Sequence, residues 1–261
     1  MKLVTNRAEL ERTELLVGRA AVALLEEIQV IIIGLGGVGS WAAEALVRSG
    51  ISHITIVDND TICHSNINRQ LQALPGTVGL PKAAVLMKRL LEINPLCTIN
   101  AFNKIFSLET AHLFGIEKAC YVIDAIDSLP NKLDLIEYVY NAPQHPVLFS
   151  SMGMAQKLDP TRIKTADIWD THGCPLARIV RQGLKKRNFS GHFSAVFSDE
   201  KLPRRNMDFY KPEVSTGKKN INGSIVTVTA AAGMTLASLV IRGICHTITD
   251  HSSNKEVNHN G

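Results

Sequence analysis

Short aliphatic runs alternate with longer amphipathic stretches through the first half of the chain. Val30–Ile33 is an unbroken apolar run of strand length, bounded on one side by glycines, and predicts a buried strand. Trp41, Ala42, Ala45 and Leu46 recur at helical spacing and predict a helix that stops at Gly50. His53–Asp58 predicts a second strand. Residues 82–93 predict a helix opened by Pro81 and ended at Asn94-Pro95. Cys97–Phe102, Cys120–Asp127 and Val147–Ser151 predict three more strands, with a helix over Asn131–Ala142 between the last two. Strand–helix alternation at this pitch predicts an α/β fold, a doubly wound and mostly parallel sheet, with ligand at the carboxyl ends of the strands.

Around this core the pattern is less regular. Leu15, Leu16, Ala21, Leu24 and Leu25 mark a helical segment ahead of the first strand, which must cover the sheet or another subunit. Beyond residue 151, a strand over Arg162–Ile168, a helix over Pro175–Arg187 and a strand over Ala195–Ser198 are expected. Residues 199–222 read as a basic surface loop. Ser224–Ile241 carries no charge and reaches the lower length limit for a membrane helix. Scattered Ser, Thr and Gly argue for a buried strand, SIVTVT, leading into a helix from Ala230, so no membrane span is expected. The polar end of the chain, residues 249–261, is expected to fray.

Composition narrows the class. The 261 residues are 45% hydrophobic and 20% charged, ordinary for a globular protein, so collagen-like, disordered and repeat architectures drop out. Five cysteines, Cys63, Cys97, Cys120, Cys174 and Cys245, include no C-x-x-C pair. That excludes a disulfide framework and a paired-cysteine zinc site. A charged start without an apolar run points to a cytoplasmic protein, with contact at a membrane surface left open. Charge is unevenly spread: residues 151–261 hold 16 Lys/Arg against 9 Asp/Glu, a net +7, while residues 1–150 hold 12 against 15, a net −3. A basic second half suits either a polyanionic partner or a solvated face.

The chemistry concentrates at the strand ends. Gly34, Gly36, Gly37 and Gly39 form G-x-G-G-x-G between a strand and a helix, where bare backbone N–H groups can approach phosphates. Asp58 ends the next strand, where an acid can hold ribose hydroxyls. A nicotinamide dehydrogenase would open the same way. The loop after the second strand departs from one: Asn66, Arg69 and Gln70 lie just past the ribose acid, and Lys82 opens the next helix. Two cations there suit a departing pyrophosphate better than a hydride. Asp124 and Asp127, in DAIDS, can face phosphates only through Mg²⁺. The alternatives are a solvated pair for Arg69 and Lys82, and a helix cap for Asp127. Cys63-His64 is too extended to act as a nucleophile pair, and His246, His251 and His259 lack ligand spacing. Trp41 is read as packing.

GLGGVGSWAAEAL, VDNDTICHSNINRQ, the lysine of LPKAAVL and DAIDS resemble the adenylation domain of the ThiF/MoeB/HesA family, kin of the ubiquitin-activating enzymes. The resemblance implies ATP and Mg²⁺ as ligands. Asp58 would hold the ribose, Asn66, Arg69 and Lys82 the phosphates, and Asp127 the metal, with Asp60 and Asp124 close by. It also implies a homodimer in which Arg12 reaches the partner's site. SSMGMAQKLDPTRIKTADI, PLARIVRQGLKKR, VFSDE and GSIVTVTAAAGMTLASLVI resemble the branch that dehydrates threonylcarbamoyladenosine in tRNA. That implies activation of the threonine carboxylate at position 37 of tRNA. The alternative is activation of a small ubiquitin-like sulfur carrier, whose activators usually carry the zinc pairs missing here; a sulfur-transfer or carrier partner stays open. An RNA-binding protein holding ATP only as a structural ligand is a third reading. Cys174, in HGCPLAR, stands where that branch tends to have an acid, so an acceptor thiol there is weighed against a packed one. The implied organisation is an ATP-binding region over 1–151, a tRNA-facing region over 152–248 continuous with it, and a disordered tail over 249–261.

Overall fold

The computed structural model describes residues 8–202 and 222–257. Its centre is a seven-stranded sheet in the order β3-β2-β1-β4-β5-β7-β6. The strands are β1 (Gln29–Ile33), β2 (His53–Val57), β3 (Thr98–Phe102), β4 (Tyr121–Asp124), β5 (Val147–Ser151), β6 (Ile163–Asp167) and β7 (Ser194–Ser198). All neighbours pair in parallel except β6 and β7. The order reverses between β1 and β4, so the crevice for a ligand opens above the carboxyl ends of those two strands.

The helices are α1 (Glu11–Val17), α2 (Arg19–Glu27), α3 (Gly39–Arg48), α4 (Lys82–Ile93), α5 (Leu129–Tyr140), α6 (Pro175–Lys186) and α7 (Val226–Val257). Two apolar clusters form, one on each sheet face. The first gathers α2, α3, α4 and α7 over Val30, Ile32, Ile54 and Ile56. The second gathers α5 and α6 over Ile31, Ile33, Val122 and Phe197. Alternate residues of β1 thus serve opposite layers, as the two-residue strand period requires.

Four expectations change. The N-terminal helical segment is broken at Gly18, whose φ of +85° lies in the left-handed region, giving α1 and α2. The β4 strand ends at Asp124, with residues 125–127 continuing as a loop. SIVTVT is not a strand, because α7 begins at Val226. The reason is burial: Val228, Ala232, Leu236, Val240 and Ile244 are all fully buried and recur every four residues. Each large aliphatic in that stripe contributes about 1.5–3 kcal/mol, enough to override the β preference of Val and Thr. The stripe packs on α3 and α2. By length and composition alone, Val226–His246 could cross a membrane. α7 also continues to Val257, through most of the tail expected to fray, since each added residue of a nucleated helix gains one hydrogen bond. Most of the basic segment 199–222 lies outside the described residues.

Candidate active site

The turn after β1 is closed by backbone contact. Gly34 has φ +94°, and a Cβ there would lie 2.6 Å from the Ala125 carbonyl oxygen; one on Gly39 would lie 1.9 Å from that of Gly34. No side chain fits at either position. The turn is consequently bare backbone at the amino end of α3, a ready anion cradle. Gly36 has open space beside it, with the Gln70 amide 3.9 Å from its would-be Cβ. Gly37 faces Thr229 and the Arg69 stem, so α7 and the loop after β2 wall the turn.

Asp58 sits just past β2. Its Oδ2 accepts from the Leu35 N–H at 2.6 Å and its Oδ1 from the Asp60 N–H at 2.8 Å. Burial pushes its carboxyl above the ordinary aspartate value, against the pull of Lys82 Nζ at 3.9 Å and the two N–H donors. Lys82 opens α4 and is only 5% exposed, with Nζ 2.7 Å from Asp60 Oδ2. Asp60 itself is exposed. A buried lysine held by a surface carboxylate beside the turn can exchange that partner for phosphate.

Arg69 is half-buried, and its Nη1 donates to the Ser65 carbonyl at 2.6 Å and Asn68 Oδ1 at 2.9 Å. Burial lowers its pKa, yet a guanidinium stays charged at neutral pH. Its carbonyl accepts from Trp41 Nε1 at 3.0 Å, so Trp41 joins α3 to this loop. Asn66 is buried, and its Oδ1 accepts from the Cys63 N–H at 3.1 Å. Its side-chain oxygen therefore shapes the loop. Gln70 and Gln72 are buried and each leaves its Oε1 without a partner. Buried polar atoms are normally satisfied, so these orphans beside the turn suit a ligand rather than a closed core.

The two DAIDS carboxylates part company. Asp127 is exposed in the loop after β4, and no described protein group pairs with it. Asp124 departs from expectation: it is fully buried, with Oδ2 accepting from Lys132 Nζ and Ser150 Oγ, each at 2.6 Å. As the last residue of a central strand it turns into the layer beneath the loop and cannot face a phosphate. No cluster of three potential metal ligands exists among the described residues. One or two carboxylates plus substrate phosphates suffice for Mg²⁺, so Asp127 beside a bound triphosphate fits the metal. Arg12 lies exposed on α1, which packs chiefly on α2 and the turn before it; this chain does not bring it to its own site. Cys174 is buried, its Sγ 4.0 Å from the Gly153 carbonyl, a packed thiol.

Reading the residues alone missed Lys132 and Thr229. Lys132 had a signal, because it stands in register with Ile136 and Val139 on the apolar stripe of α5. Thr229 had none, being read as strand.

A doubly wound sheet with a bare glycine turn, an acid at the end of the next strand and a buried lysine beside it at the switch point defines a nucleotide-binding α/β protein, and the chain belongs to the ThiF family, whose model matches residues 10–261. Among its relatives are two tRNA threonylcarbamoyladenosine dehydratases. That of Bacillus subtilis is 41% identical over 74% of this chain and 75% of its own. That of Haemophilus influenzae is 37% identical over 85% and 87%. The structure of the Escherichia coli tRNA N6-threonylcarbamoyladenosine dehydratase in complex with ATP superposes with a TM-score of 0.82. The two share 32% identity, over 95% of this chain and 99% of that one.

The position of Asp58 gives a pH dependence. If Asp58 holds the ribose it does so as the carboxylate, and the raised pKa means protonation sets in above the usual value near 3.8. ATP affinity should therefore fall on acidification from neutral pH, beginning before an ordinary aspartate would protonate, while Asp58→Asn binds more weakly but without that slope. Calorimetric titration from neutral pH downward checks it; a wild-type affinity that stays flat removes Asp58 from the ribose.

Proposed function

We propose that this chain is an ATP-dependent enzyme that adenylates the threonine carboxylate of threonylcarbamoyladenosine at position 37 of tRNA and closes it to the cyclic form. The observation that carries the reading is one sheet edge holding the bare turn, Asp58, Arg69, buried Lys82 and exposed Asp127. That set suits transfer of an adenylyl group. The substrate carboxylate attacks the α-phosphorus, forming an acyl–phosphate bond as the bond to pyrophosphate breaks. Lys82, released from Asp60, and Arg69 take up charge on the departing pyrophosphate. Mg²⁺, held by Asp127, would supply further charge neutralisation there. An atom of the same threonylcarbamoyl group then attacks the activated carbonyl, AMP leaves, and a ring closes with net loss of water. Because both reactants belong to one modified nucleoside, high effective molarity replaces an enzyme nucleophile. A packed Cys174 agrees with that.

The tRNA reading has its own support in α6. This helix contains no acid, and Arg178 and Lys185 stand exposed on one side of it, seven residues apart. It begins beside Gly153, just after the carboxyl end of β5, so its first turn with Arg178 lies toward the same edge of the sheet as the nucleotide turn, and the basic face running on from there suits RNA phosphates. A cytoplasmic, homodimeric enzyme follows from the same reading. Arg12, Leu15 and Leu16 share one face of α1, and both leucines are more than 80% exposed. A second copy covering that face would take Arg12 with it.

Mass spectrometry of nucleosides from tRNA incubated with protein and ATP tests the reading. Threonylcarbamoyladenosine should lose the mass of one water, and only with ATP present. An inert tRNA alongside an adenylated carrier protein would hand the function to the carrier-activating alternative.

A further inference from the structure

Beneath the loop that carries Asp127 lies a charged cluster with no contact to solvent. Lys132 and Asp124 are both fully buried and form an ion pair of 2.6 Å. Ser150, also fully buried, donates to the same Asp124 oxygen at 2.6 Å. Lys132 reaches further, to the Ser151 carbonyl at 3.0 Å and toward Ser150 Oγ at 3.4 Å. The remaining Asp124 oxygen accepts from the Ile126 N–H at 3.0 Å. The cluster thus ties three elements, α5, β4 and β5, to a single backbone amide one residue short of Asp127.

An apolar core would be at least as stable, since burying a charge pair costs most of what its attraction returns. The geometry shows what the pair does besides. Residues 125–127 also form one wall of the glycine turn: the Ala125 N–H donates to the Ile33 carbonyl at 2.8 Å, and its own carbonyl closes over Gly34. The loop between Asp124 and α5 is therefore pinned at Ala125 to the nucleotide turn and at Ile126 to the buried carboxylate. Asp127 has no protein partner to fix it among the described residues. Its place relative to the turn is set by those two pins.

We propose that Lys132 is a positioning residue for the adenylation step: by holding Asp124, it fixes the Ile126 amide and with it the place of Asp127 beside the triphosphate. This rests on the nucleotide chemistry proposed above. Lys132 touches neither nucleotide nor substrate, and its effect passes through hydrogen bonds as outer-shell groups act on metal ligands, where removal costs about 10–100-fold in affinity or rate.

The test uses the full chain with Lys132→Met, which leaves Asp124 buried without its ammonium partner, and Lys132→Met/Asp124→Asn, which removes both charges and so the uncompensated buried carboxylate. Binding is measured calorimetrically with ATP in chelator and with Mg·ATP, and turnover with threonylcarbamoyladenosine-containing tRNA. Metal-free ATP affinity should stay within about twofold of wild type. The gain on adding Mg²⁺ should shrink about tenfold and kcat fall about 10–100-fold, with little change in KM for ATP. A folded variant with wild-type kcat and the full Mg²⁺ gain overturns the proposal, as does one that loses metal-free ATP affinity to the same degree as rate, the mark of a merely structural role. If neither variant folds, Ser150→Ala decides: a smaller loss in the same direction supports the proposal, and wild-type values overturn it. Wild-type protein that turns over no tRNA at all overturns the functional reading instead, and the positioning role with it.

Discussion

Lys82→Ala is expected to lower ATP-dependent turnover by about 10²–10³ while leaving the fold intact. The lysine sits at the first position of α4, 5% exposed, and its close charged partners among the described residues are Asp60 at 2.7 Å and Asp58 at 3.9 Å. Both partners can do without it: Asp60 is solvated, and Asp58 keeps two backbone donors. The loss therefore falls on charge developing as pyrophosphate leaves. Asp60→Ala separates holding from catalysis. It frees the ammonium without removing it, so the rate should change by less than about tenfold. Lys82→Arg should not rescue, because a planar fork does not fit a slot shaped for a compact ammonium. Single-turnover assays at saturating ATP give the comparison, and a Lys82→Ala rate within about threefold of wild type would remove it from the chemistry.

Mixing Arg12→Ala and Lys82→Ala homodimers should restore activity that neither has alone. Arg12 lies on α1 beside two exposed leucines, away from the carboxyl edge of its own sheet. If that face meets a second copy, Arg12 serves the opposite site, whereas Lys82 serves its own. In a mixed dimer the site on the Arg12→Ala subunit then has its own Lys82 and its partner's arginine, and the other site has neither. With half the dimers mixed and half their sites whole, about a quarter of full activity returns, as closed two-fold symmetry requires. Mass spectrometry of the exchanged sample confirms mixed dimers. Background activity in their presence would show that Arg12 does not act in trans.

The alternation of short aliphatic runs and amphipathic stretches was enough to read β1 to β5 and the helices between them, because buried parallel strands and their covering helices carry strong local patterns. The glycine turn and Asp58 were legible for the same reason: a bare turn between strand and helix has few other uses. Lys82 and Arg69 were legible as charges at strand ends, which the alternation itself locates. What the chain order could not say is which way a strand-end carboxylate points. Asp124 and Asp127 are three residues apart in one motif, yet one is an internal ion-pair partner and the other an exposed surface acid. The difference is where β4 stops, and that depends on Lys132 and Ser150 arriving from α5 and β5. The first turn of α7 was misread because Val226–Thr229 favours a strand locally, and only its burial against α3 selects helix. Local sequence determined the elements and the chemical types at their ends. Tertiary packing decided which of those groups face the nucleotide, since burial and pairing across elements distant in sequence set the cost of each orientation.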